Sequence, residues 1–226
     1  MVSIAHDVES AHAPAHGGHD GHAPSVLDGA LSAPVGHHLP TSTGLDSRKL
    51  LMWLFLASDC MFFGSLIGTF MTYKGRSLIP PSPHEVFDIP YTSVSAFVLL
   101  MSSLTMVLAL SAIQRGDQRR LRVWLLTTAL LGSVFIGGQV YEFTTFVRKG
   151  LTIHTNVFGS TFFVLTGFHG THVFVGVLML MSLFSLSLKG KLPQEKSQTV
   201  ELVGLYWHFV DIIWILIFTL IYLIPT

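Results

Sequence analysis

The chain has 226 residues, 50% hydrophobic and only 12% charged, about half the roughly 25% charged share of soluble domains. Its 13 basic and 13 acidic residues cancel, which excludes a basic nucleic-acid binder and an acidic disordered chain. The single cysteine, Cys60, excludes a disulfide framework or a cysteine-only metal centre within the chain.

Residues 1–48 carry seven of the twelve histidines, namely His6, His12, His16, His19, His22, His37 and His38, among Ala, Gly and Pro, with no aromatic residue. Such a segment cannot bury enough surface to offset its ordering entropy, so a disordered tail is expected. It has neither the basic start nor the apolar run of a signal peptide. The spacings of His16, His19 and His22, and of His37 and His38, allow loose chelation of a transition metal. An inert solvated tail is the alternative.

Five apolar stretches follow, at about 50–73, 91–113, 123–146, 156–187 and 202–224. Each is long enough to cross a hydrocarbon core of about 30 Å at about 1.5 Å per residue. The runs are continuous rather than alternating, which speaks against a transmembrane β-barrel. Breakers separate them: Pro80-Pro81-Ser82-Pro83, Gly116, Gly150 and Gly190-Lys191-Leu192-Pro193. The expected fold is an all-α membrane protein, a bundle of five transmembrane helices over residues 49–226 behind the tail. No internal repeat is visible, which argues against a secondary transporter. One side of this topology holds Arg48, Lys49, Arg115, Arg119, Arg120, Arg122, Lys189, Lys191 and Lys196; the other holds Lys74, Arg76, Arg148 and Lys149. The positive-inside rule then places the N-terminus in the cytoplasm and the C-terminus outside.

Charge inside a bilayer is expensive and calls for a reason. The first helix carries Asp59, about 15 Å along its axis and flanked by Phe55, Phe62 and Phe63. It reads either as a site of proton exchange or as a carboxylic acid hydrogen-bonded to a partner helix. Gly64 and Gly68 form a weak GxxxG packing signal there. The third helix carries Gln139 and Glu142; Glu142 is either an interfacial carboxylate reaching water or a contact with another helix. On the fourth, His169 and His172 share a face that Gly176 continues, and Gly167 and Gly170 would allow close helix approach. The fifth repeats the spacing with His208 and Asp211, one turn after Gly204. A carboxylate beside an imidazole fixes its tautomer and can hold its charge. Interhelical hydrogen bonding competes with metal ligation as the use of these histidines. Three are too few for a haem-copper centre, though one haem-binding pair stays open. Trp53, Trp124, Tyr206 and Trp207 fall near helix ends on the basic side and suit an aromatic belt.

Specific runs now carry a resemblance. The fourth helix reads Gly159-Ser160-Thr161-Phe162-Phe163-Val164-Leu165-Thr166-Gly167-Phe168-His169-Gly170-Thr171-His172-Val173, and the fifth Tyr206-Trp207-His208-Phe209-Val210-Asp211-Ile212-Ile213-Trp214. Together they resemble the signature of cytochrome c oxidase subunit III, the third core subunit of haem-copper oxygen reductases. Gln139 and Glu142 match that family's Q-x-x-E, and Ser58-Asp59-Cys60-Met61-Phe62-Phe63 is similar to its S-E-x-M-F-F, with Asp59 in place of the glutamate. Leu99, Leu100, Ser102, Ser103 and Thr105 give a looser match in the second helix. The resemblance covers residues 48–226 and corresponds to the last five of the seven helices in larger members. One wall of those members' lipid-holding cleft is therefore absent.

The resemblance implies a non-redox subunit in a bacterial plasma membrane. It would pack against the catalytic subunit I, which holds the haems and copper, and alongside subunit II, with a small subunit IV as a further candidate partner. This chain would bind no cofactor of its own, phospholipid aside. The complex would reduce oxygen to water with electrons from cytochrome c and translocate protons. Asp59, His208 and Asp211 would form a buried polar layer supporting proton uptake and turnover stability. Gln139, Glu142, Gly167, His169, Gly170, His172 and Gly176 would serve packing. Quinol oxidases and an accessory protein of nitric oxide reduction share the family. A histidine-rich metal transporter and a b-type haem carrier are the rivals outside it.

Overall fold

In the computed structural model, residues 46–73, 89–150 and 157–223 are described, and they contain no β-strand. Five helices follow in order: α1 Ser47–Tyr73, α2 Ile89–Gln114, α3 Gln118–Arg148, α4 Val157–Leu188 and α5 Ser197–Phe218. A 3-10 turn, Gln194–Lys196, leads into α5, and a π turn, Thr219–Leu223, continues it. All five are long and apolar enough to cross a membrane. The expected disordered tail and the Pro80–Pro83 linker lie outside the described residues.

Two helices start earlier than their apolar runs. Helix α3 begins at Gln118 because Asp117 caps it, accepting a hydrogen bond from the Arg120 backbone N–H at 3.0 Å. Helix α5 begins at Ser197, five residues before its apolar run. Hydropathy marks only the stretch that suits hydrocarbon, whereas the backbone ladder runs on into the polar layer. Gly116 and Gly190 adopt φ of 74° and 66° and close α2 and α4. Their own N–H groups donate to Ile113 and Ser187, and the next residues' N–H groups to Ala112 and Leu186. This is the Schellman pattern, whose left-handed position favours glycine.

Helices α2 to α5 pack together, and α1 lies against α4 and α5. Its buried residues are Leu56, Phe63 and Phe70, one every two turns, a single narrow stripe. At the basic end, Lys49 meets Glu201 at 2.6 Å and Gln198 donates to Asp46 at 2.7 Å, fastening α1 to α5. Gln194 donates to the Gln114 carbonyl at 2.6 Å, and Gln118 to the Leu192 carbonyl at 3.0 Å. The Arg122 guanidinium donates to the Ser187 carbonyl at the end of α4, also at 3.0 Å.

The core is aromatic, with Phe63, Phe70, Phe135, Phe146, Phe162 and Trp207 nearly or fully buried. Trp207 corrects the aromatic-belt expectation, being 1% exposed while Trp53 is 58% exposed. Because α5 starts early, Trp207 lies ten residues, about 15 Å, inside it. Its indole fills a socket over two glycines. An added Cβ would stand 2.5 Å from the ring at Gly132 and 2.7 Å at Gly176. The indole N–H donates to Ser102 Oγ at 2.9 Å, and that hydroxyl donates to the Leu99 carbonyl.

Candidate functional site

The polar side chains fall into separate groups along the bundle. Asp59 of α1 faces His172 of α4, with Oδ2 3.6 Å from Nε2. His172 Nδ1 lies 2.8 Å from the Phe168 carbonyl, one turn back. A carbonyl only accepts, so Nδ1 carries a hydrogen and Nε2 presents either a lone pair or a second proton to Asp59. At 3.6 Å the two are within ion-pair reach but not hydrogen-bonded, and Asp59 Oδ2 has no hydrogen-bond partner among the described residues. Beside the pair, Met52, Phe55, Thr171, Val175, Met179 and Tyr206 line an open cleft of about 290 Å³. Tyr206 also departs from the belt expectation: it is 3% exposed, and its hydroxyl donates to the His172 carbonyl at 3.0 Å.

The second group spans α2 and α5. Ser103 Oγ lies 2.8 Å from His208 Nδ1, and Asp211 stands three residues further along α5, its Oδ2 buried with no hydrogen-bond partner among the described residues. Asp211 is 4% exposed. Asp59 thus pairs with His172, and no contact joins it to His208 or Asp211 among the described residues. The expected three residues do not meet as one group: Asp59 faces His172 across α1 and α4, while His208 meets Ser103 across α5 and α2.

His169 is fully buried among aromatic rings. It stacks on Trp214 at 4.9 Å between centroids, with Phe135 and Phe63 edge-on at 6.1 and 6.4 Å. Phe63 also meets His172 at 5.0 Å, so the two histidines do share a face, against α1. Neither His169 nitrogen has a hydrogen-bond partner among the described residues. Here too, no three His, Cys, Asp or Glu side chains converge as a metal-binding group.

Gln139 and Glu142 tie α3 to its neighbours. Gln139 Nε2 donates to the Thr166 carbonyl at 2.7 Å. Its amide passes so close to Gly170 that a Cβ there would stand 2.5 Å from Oε1. Glu142 is 8% exposed and accepts from Thr92 of α2 at 2.7 Å and from Tyr222 at 3.1 Å. Of its two sequence readings the structure selects the interhelical contact. Nothing within the chain lies within 4 Å of a Cβ added at Gly167, so among the described residues it makes no close approach to another helix; packing against another subunit is the reading that fits it. Gly64 and Gly68 are equally open.

Gly132, which carries half of the tryptophan socket, and Thr128, whose hydroxyl meets that of Thr105 at 2.8 Å between α3 and α2, escape the sequence reading. Trp214, which floors the His169 box, and Ser102, Ser103 and Thr105 enter it only through the family match. Small and hydroxyl residues are common in membrane helices, so none stands out until the facing helix is placed.

Comparison with known proteins bears on this arrangement. The family described as cytochrome c oxidase subunit III matches residues 30–225. The cytochrome c oxidase subunit 3 of Bacillus sp. (strain PS3) is 36% identical, over 78% of this chain and 86% of that protein. The quinol oxidase subunit 3 of Bacillus subtilis (strain 168) is 38% identical, over 76% of this chain and 84% of the relative. The cytochrome c oxidase subunit 3 of Thermostichus vulcanus is 38% identical, over 86% and 94% respectively.

Proposed function

Because the chain belongs to the cytochrome c oxidase subunit III family, we propose that it is the non-redox third subunit of an aerobic terminal oxidase. It packs on the subunit that holds the haems and copper, beside subunit II, and supports proton uptake and turnover lifetime while oxygen is reduced to water. The observation that carries the proton role is the Asp59–His172 pair. Its imidazole is fixed by a backbone carbonyl, and it can pass one proton between two groups inside an apolar bundle. The His208–Ser103 hydrogen bond, with the buried Asp211 three residues on, is a second polar group for the same role. The proposed location is a bacterial plasma membrane, N-terminus in the cytoplasm, from the excess of basic residues on that side.

Replacing Asp59 by Asn keeps size and hydrogen-bonding capacity but removes the exchangeable acid. In the assembled oxidase, slower proton uptake or a shortened turnover lifetime, with subunit content unchanged, is the expected result. Unchanged proton uptake and lifetime would sink the proton role.

Cytochrome c is the first reading of the electron donor. A quinol donor is the second, supported by the quinol oxidase relative at 38% identity. Oxygen uptake by the complex captured through this chain, driven by reduced cytochrome c and then by a quinol, separates the two. A chain captured alone and colourless from membranes with an active oxidase would overturn the subunit reading.

A further inference from the structure

At the basic end, α2 and α3 part to leave an open cleft of about 820 Å³. Leu108, Ala112 and Val123 give its lining an apolar part, and Arg115, Arg119 and Arg120 give it positive charge, beside Trp124. Asp117 is the acidic residue of the lining, and it is occupied: Arg120 Nε holds its carboxylate at 3.1 Å while the other oxygen caps α3. The guanidinium groups of Arg115 and Arg119 make no hydrogen bond or ion pair among the described residues. Arg122, by contrast, turns away to bond Ser187. Three positive charges against one negative leave the lining at +2.

The arginines sit just after α2 and in the first turn of α3, at headgroup level. Leu108 and Trp124 each lie six residues from those helix ends, about 9 Å further along the axis, where an indole suits the interface and an apolar chain can begin. We infer that this cleft is a binding site for an anionic phospholipid, its phosphate between Arg115 and Arg119 and an acyl chain along Leu108 and Val123. Charge complementarity selects the occupant: guanidinium groups pair with phosphate through two parallel hydrogen bonds, and a zwitterionic lipid would bring its own cation to a lining already positive. This site is on the α2–α3 side, distinct from the cleft beside His172 between α1, α4 and α5.

The test uses the chain as extracted with its native partners, washed in mild detergent until loosely held lipid is gone. Dioleoyl phosphatidylglycerol and dioleoyl phosphatidylcholine are titrated in separately, and bound lipid is read by native mass spectrometry. Each basic residue near an anionic headgroup is worth about fivefold in affinity, so Arg115→Gln with Arg119→Gln should weaken phosphatidylglycerol binding roughly 30-fold. Phosphatidylcholine binding should not change, and added salt should weaken only the phosphatidylglycerol. Val123→Trp, at a position already 55% exposed, fills the apolar part of the lining with every charge kept, and should also lower phosphatidylglycerol binding. It keeps the test decisive where the double variant does not fold. Equal phosphatidylglycerol binding by the wild type and whichever variant folds overturns the proposal. So does loss of a polypeptide partner in place of lipid, which would make this face a protein interface.

Discussion

The tryptophan socket allows a prediction in which a stabilising and a destabilising effect of one substitution are separated. Gly132→Ala places a methyl 2.5 and 2.9 Å from two indole atoms of Trp207 and 3.0 Å from Val177, about an ångström inside ordinary contact. The indole cannot retreat freely, since Gly176 approaches the same ring at 2.7 Å and the Ser102 bond holds the other end. Overpacking of this kind costs about 1–3 kcal/mol. Glycine to alanine in a helix also gains about 1 kcal/mol from propensity, which would hide part of the clash. Gly64→Ala supplies the correction, because a Cβ there meets nothing within 4 Å. The difference between the two variants isolates the clash at about 1–3 kcal/mol. For a helical domain of this size that is about 2–12 °C in melting temperature. Thermal unfolding of the purified full chain in detergent reads it. Trp207→Phe, which withdraws the outer ring, should cancel most of the Gly132→Ala penalty in a double-mutant cycle. Equal melting shifts for Gly132→Ala and Gly64→Ala, or no rescue by the shorter ring, would refute the socket.

Glu142→Ala should cost about 1–3 kcal/mol in the same assay, because it strands the buried Thr92 and Tyr222 hydroxyls that now donate to it. Glu142→Gln keeps a carbonyl acceptor and should lose less than half of that. Arg122→Ala should lower stability by about 1–2 kcal/mol, since its charged donor leaves the Ser187 carbonyl at the α4 terminus; protease nicking in the Lys189–Lys196 connection should rise with it, and unchanged nicking would argue against the tie.

How much was readable in advance differs by residue. Gly116 and Gly190 were marked as breakers, and the structure makes both left-handed helix closures, because a turn's backbone demand is local. Asp59, His172, His208 and Asp211 stood out for a similar reason: a charge or imidazole in an apolar run is conspicuous without a fold. Their partners were not readable. Asp59 was grouped with His208 and Asp211, yet it faces His172, since spacing along one helix says nothing about the helix opposite. The same gap hides Gly132, whose role depends on where an indole lies.

By itself, the sequence determined the number of spans, their approximate limits, the basic side and the family, because bilayer thickness and the cost of buried charge act on each segment alone. Tertiary structure alone decided which helix faces meet, that Trp207 is core rather than belt, and that Asp59 faces His172. In lipid every helix face is apolar, so hydrophobicity no longer separates inside from outside. Packing of small residues and a handful of hydrogen bonds make that choice, and those are properties of pairs of helices.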